Sequence, residues 1–152
     1  MMKDKRLSVS AIKEGTVIDH VPANALFKVV SILNLDKMDT MITIGNSLSS
    51  DKLGKKGIIK LSKVFFQDDD INKIALVAPS AKLNLIRDYE VVEKRVVEIP
   101  DEIIGIAKCV NPKCITNNEK VSTRFEVISK AEVKLKCHYC EKITDQDNIV
   151  II

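Results

Sequence analysis

Tryptophan is absent from the 152 residues, and four Phe and two Tyr bring aromatic content to only 4%. A close-packed interior must therefore be built from Ile, Val and Leu. No stretch approaches the ~20 consecutive apolar residues needed to cross a bilayer. The charged start Met-Met-Lys-Asp-Lys-Arg has no apolar segment behind it, so no signal peptide is expected and the chain is read as cytoplasmic, without membrane partners. No low-complexity tract is present. With 45% hydrophobic and 30% charged residues, a folded globular chain of one ordinary domain or two small ones is expected. A strong charge of one sign is missing too. The net charge is +3, with eight Lys/Arg balanced by eight Asp/Glu in residues 101–152 and sixteen against thirteen in residues 1–100. A mild cationic bias confined to the first part suits a polyanionic small molecule better than a nucleic-acid backbone.

Within the first hundred residues, strand and helix patterns alternate. Leu7–Ile12 has period two and reads as a strand, and Thr16–Asp19 continues it after Gly15. Pro22 fits the first turn of a helix whose apolar face is Ala23, Leu26, Val30 and Leu33. Thr40–Ile44 and Gly57–Phe65 read as strands, with a Gly/Ser/Asn/Lys-rich loop between them. Asp68–Asp70 can cap a second helix carrying Ile71, Ile74, Ala75 and Ala78, and Lys82–Val92 is again extended. Strand, helix, strand, strand, helix, strand is the split βαβ order of a ferredoxin-like sandwich, an antiparallel sheet with both helices on one face. A boundary is expected near Glu98–Asp101, giving domains 1–99 and 100–152. The second, ending in the apolar strand Asn148–Ile152, is small enough to need a staple. The expected class is α+β, with a small all-β zinc-binding domain at the C-terminal end.

The cysteines supply that staple. Cys109 and Cys114 enclose four residues, Cys137 and Cys140 enclose two, and twenty-two lie between the pairs. Two short-spaced pairs on either side of a hairpin-length insert can surround one tetrahedral Zn²⁺, and in a reducing compartment metal ligation is favoured over disulfides. Four thiolates leave the site near −2, which Lys108, Lys113, Lys136 and Lys142 are placed to offset. Four sulfur ligands leave no open coordination position, so the metal is read as structural. The competing readings are independent buried cysteines, a redox Cys137-His-Tyr-Cys140 motif, and His138 replacing one ligand. His138 reads better as a turn residue.

Asp19, Lys60 and Lys94 sit in or beside strands. Ile59 and Leu61 share one strand face, while Lys60 and Ser62 point the other way. Lysines on a sheet face can meet a polyphosphate, and a carboxylate can accept a ribose hydroxyl. They can equally form a solvated face, as can Lys55 and Lys56. Gly54-Lys-Lys-Gly57 lacks P-loop spacing. His20 can be a helix-entry residue or a phosphate donor. The pattern alone leaves these alternatives open.

Several segments carry a resemblance across the whole chain: Ala11-Ile-Lys-Glu-Gly-Thr-Val-Ile-Asp-His20, Ile42-Thr-Ile-Gly45, Asp88-Tyr-Glu-Val-Val92 and Leu135-Lys-Cys-His-Tyr-Cys-Glu-Lys142. Together with the cysteine arrangement they closely resemble the regulatory chain of aspartate carbamoyltransferase. The resemblance implies a non-catalytic subunit of pyrimidine biosynthesis that binds CTP and ATP allosterically, with UTP and Mg²⁺ as further ligands. By position, Ala11, Ile12 and Tyr89 should meet the base, Asp19 and Lys60 the ribose, and Lys94 the phosphates with His20 and Lys56. Val17, Asn84, Ile86 and Val91 should line the pocket. The zinc domain should dock on the catalytic chain, with Asn111 and Lys142 as contacts. The implied assembly is two catalytic trimers bridged by three regulatory dimers. Ser10 and Lys113 depart from the family pattern.

A zinc-ribbon nucleic-acid-binding module is the alternative. It would need clustered basic and aromatic residues, whereas residues 101–152 are charge-balanced with only Phe125 and Tyr139 as aromatics. An enzyme acting on nucleotides is also disfavoured, since motif spacing assembles no carboxylate pair, no nucleophile with its base and no open metal site.

Overall fold

The computed structural model describes residues 11–51 and 54–152. The period-two pattern builds the first sheet. Along β1 (Gly15–Pro22), Ile18 is completely buried on one face while Asp19 turns to the other. β2 (Ile42–Ser50), β3 (Gly54–Ser62), β4 (Lys82–Arg87) and β5 (Glu90–Val96) complete an antiparallel sheet in the order β2-β3-β1-β4-β5. The first four strands follow the ferredoxin-like order, with β5 added as a hairpin on β4, so the expected sandwich is borne out. Ile18, Ile59 and Leu83 are cross-strand partners facing the core, joined by Leu61.

α1 (Leu26–Ile32) and α2 (Asp68–Val77) cover that face. α1 buries Leu26 and Val29, preceded by a short 3-10 turn Ala23–Ala25. Pro22 therefore ends the strand instead of opening the helix, and Val29 takes the fully buried place expected of Val30. The helix lies so close to β3 that a Cβ at Gly57 would stand 2.7 Å from a Leu26 methyl carbon. α2 buries Ile71, Ile74, Ala75 and Leu76. Its cap residue is Gln67, whose backbone N–H donates to the Asp70 carboxylate at 3.4 Å. Asp68–Asp70 instead fill the first turn, where their charge favours the helix dipole.

Three further expectations change. Residues 7–10 of the anticipated strand Leu7–Ile12 lie outside the described residues, as does Ser10, and Ala11 and Ile12 carry no strand. The polar loop between the second and third strands is mostly ladder, because backbone pairing through Ser50↔Gly54 does not require apolar side chains. Lys82–Val92 divides into two strands at a two-residue turn, with Asp88 (φ 51°) and Tyr89 (φ 66°) both left-handed as hairpin geometry demands.

The second unit holds β6 (Glu102–Ile104), β8 (Arg124–Ser129), β9 (Lys134–Cys137) and β10 (Ile143–Asp145) in the order β10-β9-β8-β6. β7 (Ala107–Lys108) pairs separately with β11 (Val150–Ile151), the core of the expected terminal strand. Its core is Phe125, Ile103, Val133 and Leu135. Two short helical turns, α3 (Ile115–Asn118) and a 3-10 turn at Gln146–Asn148, interrupt the otherwise β unit. The buried residues of both units form one continuous cluster, and Gln146 reaches across to donate to the Leu76 carbonyl at 3.3 Å. No described helix is long and apolar enough to cross a membrane.

Candidate functional site

The metal centre forms where two hairpin-like turns meet. Cys109 follows β7, Cys114 opens α3, Cys137 ends β9, and Cys140 lies in the turn before β10. All four sulfurs lie within 4.8 Å of one another. Cys109 Sγ is 3.6 Å from Cys140 Sγ, and Cys114 Sγ is 3.7 Å from Cys137 Sγ. These separations exclude disulfides, whose S–S bond is about 2 Å. They match the edge of about 3.8 Å that tetrahedral geometry gives for Zn–S bonds near 2.3 Å. Four soft donors at that spacing fit a tetrahedral thiophilic ion.

The thiols are unevenly poised. Burial pushes Cys109 up to about 12, and burial also raises Cys137. Burial works in the same direction at Cys140 but is outweighed by hydrogen bonds from the Lys142 backbone, Asn111 and the neighbouring sulfurs, which bring it down to about 7. A bound cation would stabilise the remaining thiolates.

The turns are locked from outside the sulfur set. Asn117 Nδ2 donates to the carbonyls of Cys109 (2.9 Å) and Asn111 (2.7 Å), and Thr116 Oγ1 lies 3.2 Å from Cys114 Sγ. Asn111 Oδ1 accepts from the Lys113 backbone N–H at 3.1 Å. Asn111 thus helps hold the turn, whereas the Lys142 side chain is exposed. Thr116 and Asn117 were missed from sequence, although two polar residues closely following a ligand cysteine were the available signal. His138 is exposed, packs edge-on to Tyr139 at 4.9 Å, and lies outside the sulfur cluster. Lys108 and Lys113 are exposed, and Lys136 is half-buried.

On the first sheet, the named residues converge on the face that the helices leave uncovered. Strand register makes Thr43, Lys60, Val17, Asn84 and Lys94 successive cross-strand partners in one row. Towards one end, Gly15 pairs with Ile86 and Ile86 with Val91. There the Tyr89 backbone N–H donates to the Lys13 carbonyl at 2.9 Å, bringing the segment after Ala11 and Ile12 beside the β4–β5 turn. Gly15 is required at this end. Its φ is +137°, and a Cβ would lie 2.0 Å from the Leu61 carbonyl oxygen.

Towards the other end, β1 bulges between Ile18 and Val21. His20 adopts φ 58°, and its backbone N–H donates to Asp19 Oδ1 at 2.7 Å. Lys56 Nζ stands 2.9 Å from the same oxygen. Lys60, only 6% exposed, has its ammonium pushed below the ordinary lysine value by burial, against the opposing pull of Asp19. The open face therefore offers apolar walls at one end and a carboxylate among cations at the other.

Comparison with known proteins identifies the family. Residues 7–98 match the model of the aspartate carbamoyltransferase regulatory chain allosteric domain, and residues 101–150 match the model of its metal-binding domain. Proteins named aspartate carbamoyltransferase regulatory chain include one from Bacteroides fragilis, 60% identical over 146 residues covering 96% of this chain and 95% of the relative. Another, from Parabacteroides distasonis, is 55% identical across 98% of this chain and 97% of the relative. A third, from Thermococcus sibiricus, is 54% identical across 97% of both. With both models matched in order and a four-cysteine cluster inside the second, the chain belongs to the aspartate carbamoyltransferase regulatory chain family.

Proposed function

We propose that this chain senses nucleoside triphosphates on the helix-free face of its first sheet and relays their binding, through a zinc-stapled second domain, to the catalytic chain of aspartate carbamoyltransferase. The division of labour falls at residues 1–99 and 100–152. CTP and ATP compete for one site, with UTP and Mg²⁺ as further ligands. Backbone groups near Ala11, Ile12 and Tyr89 read the base, while Ile86, Val91 and Val17 supply its apolar walls beside Asn84. Asp19 and Lys60 hold the ribose. Lys94, Lys56 and His20 take the phosphates. Cys109, Cys114, Cys137 and Cys140 hold Zn²⁺, which supplies rigidity and no chemistry, and Asn111 and Lys142 face the catalytic chain. The assembly is cytoplasmic, with three regulatory dimers bridging two catalytic trimers.

The observation that carries this reading is the row Lys60–Val17–Asn84–Lys94, drawn from four strands onto one uncovered face. A polyanion bound there must favour one quaternary state, because equal affinity for two states shifts neither. Coupling of this kind is typically about 1–3 kcal/mol and reciprocal, so active-site ligands of the catalytic chain should alter nucleotide affinity. Calorimetric titration of the purified chain with CTP, ATP and UTP, with and without Mg²⁺, tests the site. Lys94→Ala should weaken CTP and ATP binding while leaving assembly intact. Unchanged titration curves would move the phosphate site elsewhere.

A further inference from the structure

The two cysteine pairs are held by different means. Cys137 ends β9 as the cross-strand partner of Phe125. Its N–H donates to the Lys142 carbonyl at 2.9 Å, and its own carbonyl accepts from the Glu141 N–H at 3.0 Å. Backbone groups therefore close this tight turn. The loop from Cys109 to Cys114 is longer, and one backbone bond closes its far side, from the Cys114 N–H to the Asn111 carbonyl at 3.0 Å. Side chains complete it. Asn117 Nδ2 donates to the carbonyls of Cys109 and Asn111, at 2.9 and 2.7 Å. Asn118 Nδ2 donates to those of Pro112 and Cys114, at 3.0 and 2.8 Å. Two neighbouring amides on α3 thus grip the loop at both cysteines and at two points between them, removing conformational freedom that a longer turn would keep.

The sulfurs also differ in access. Cys109, Cys114 and Cys137 are 1%, 2% and 0% exposed, whereas Cys140 is half-buried. Cys140 lies in the turn itself, beside Glu141 with its left-handed φ of 64°. Four sulfur donors leave no open coordination position, so a competing ligand gains access only when one sulfur swings aside. That sulfur must meet solvent and sit on backbone able to move. The amide grip excludes Cys109 and Cys114, and strand pairing with full burial excludes Cys137.

We infer that Cys140 is the ligand through which the metal is exchanged, and that the Asn117–Asn118 amide pair directs exchange there by holding the Cys109–Cys114 loop shut. This rests on the four-cysteine metal reading above and adds to it an order of release. Both asparagines act on backbone carbonyls, so they are positioning residues.

The test uses the full-length zinc-loaded chain as wild type, Asn117→Ala, Asn117→Asp and Asn118→Ala. Excess 4-(2-pyridylazo)resorcinol reports zinc release, and timed iodoacetamide alkylation with peptide mass mapping reports which thiol is freed first. In wild type Cys140 should be labelled first. Asn117→Ala should speed release about tenfold, the lower end of the affinity loss that follows removal of an outer partner of a metal ligand, with early label spreading to Cys109. Asn117→Asp keeps the shape but lacks the donor, and should match Asn117→Ala. Asn118→Ala should act more weakly and spread label to Cys114. The absorption spectrum of the Co²⁺-substituted chain should stay unchanged in all three, because the four donors are the same. Even labelling of all four thiols in wild type overturns the role of Cys140. Unchanged release in every variant overturns the clamp, and so does faster release with equal gain at all four thiols, the mark of general loosening. A chain that takes up no zinc overturns the metal reading itself.

Discussion

The two halves of the chain solve the burial problem by different means. The first places Ile18, Leu26, Ile59, Leu61, Ile74, Leu76 and Leu83 almost wholly out of water between one sheet and two helices. Each such side chain contributes about 1.5–3 kcal/mol of transfer free energy to that half. The second has fewer large fully buried side chains, chiefly Phe125, Ile103 and Leu135, and several of its strands have only two or three residues. Its sulfurs fill the remaining need. A sheet that stands on its own packing can leave one face open to a ligand. A domain that depends on a metal must keep its ligand turns rigid, which suits it to gripping a partner.

The sharpest way to break this contrast is to remove the metal. Chelation, or Cys114→Ser, should unfold the second unit and leave the first folded, since metal affinity of about 10–16 kcal/mol is folding free energy in small zinc domains. Domain-resolved hydrogen exchange would read it, and assembly with catalytic trimers should be lost with the fold. Protection unchanged in residues 101–152 would show that packing alone suffices. Acidification should act likewise, because protons compete with the metal for thiolates.

A core truncation should have the opposite address. Ile59→Ala, on the interior strand β3 at 0% exposure, should cost the first unit about 2–5 kcal/mol in denaturant unfolding. Gly15→Ala should follow at about 1–3 kcal/mol or more, through backbone strain and the clash with Leu61, and should also disturb the adjoining end of the open sheet face. The smallest effect belongs to the link between halves. Gln146→Ala removes the hydrogen bond to the Leu76 carbonyl and should cost about 0.5–1.5 kcal/mol. A melt that becomes biphasic in that variant would show the halves depend on this contact for cooperativity.

Much of this was legible in advance for definite reasons. Ile71, Ile74 and Ala75 recur at helical spacing and lie buried on α2. Ile59 and Lys60 alternate about the sheet plane as period two demands. Other features were hidden because they depend on backbone rather than side-chain pattern. The polar segments 45–50 and 54–56 form a ladder from groups every residue possesses. The break at Asp88–Tyr89 needs two left-handed residues, and neither is glycine. The support of Asn117 for two ligand turns depends on where α3 places its amide.

By itself the amino-acid order determined the alternation of strands and helices in the first half, its aliphatic core, and the pairing of the four cysteines that cluster in the second. Periodicity and short spacings are local properties. Only the tertiary structure decided which lysines share a face, that Asp19 is taken by Lys56 and not by its cross-strand partner Lys82, and that one apolar cluster runs through both units. Those outcomes follow from strand register and a β-bulge, where a shift of one residue sends every side chain to the opposite side.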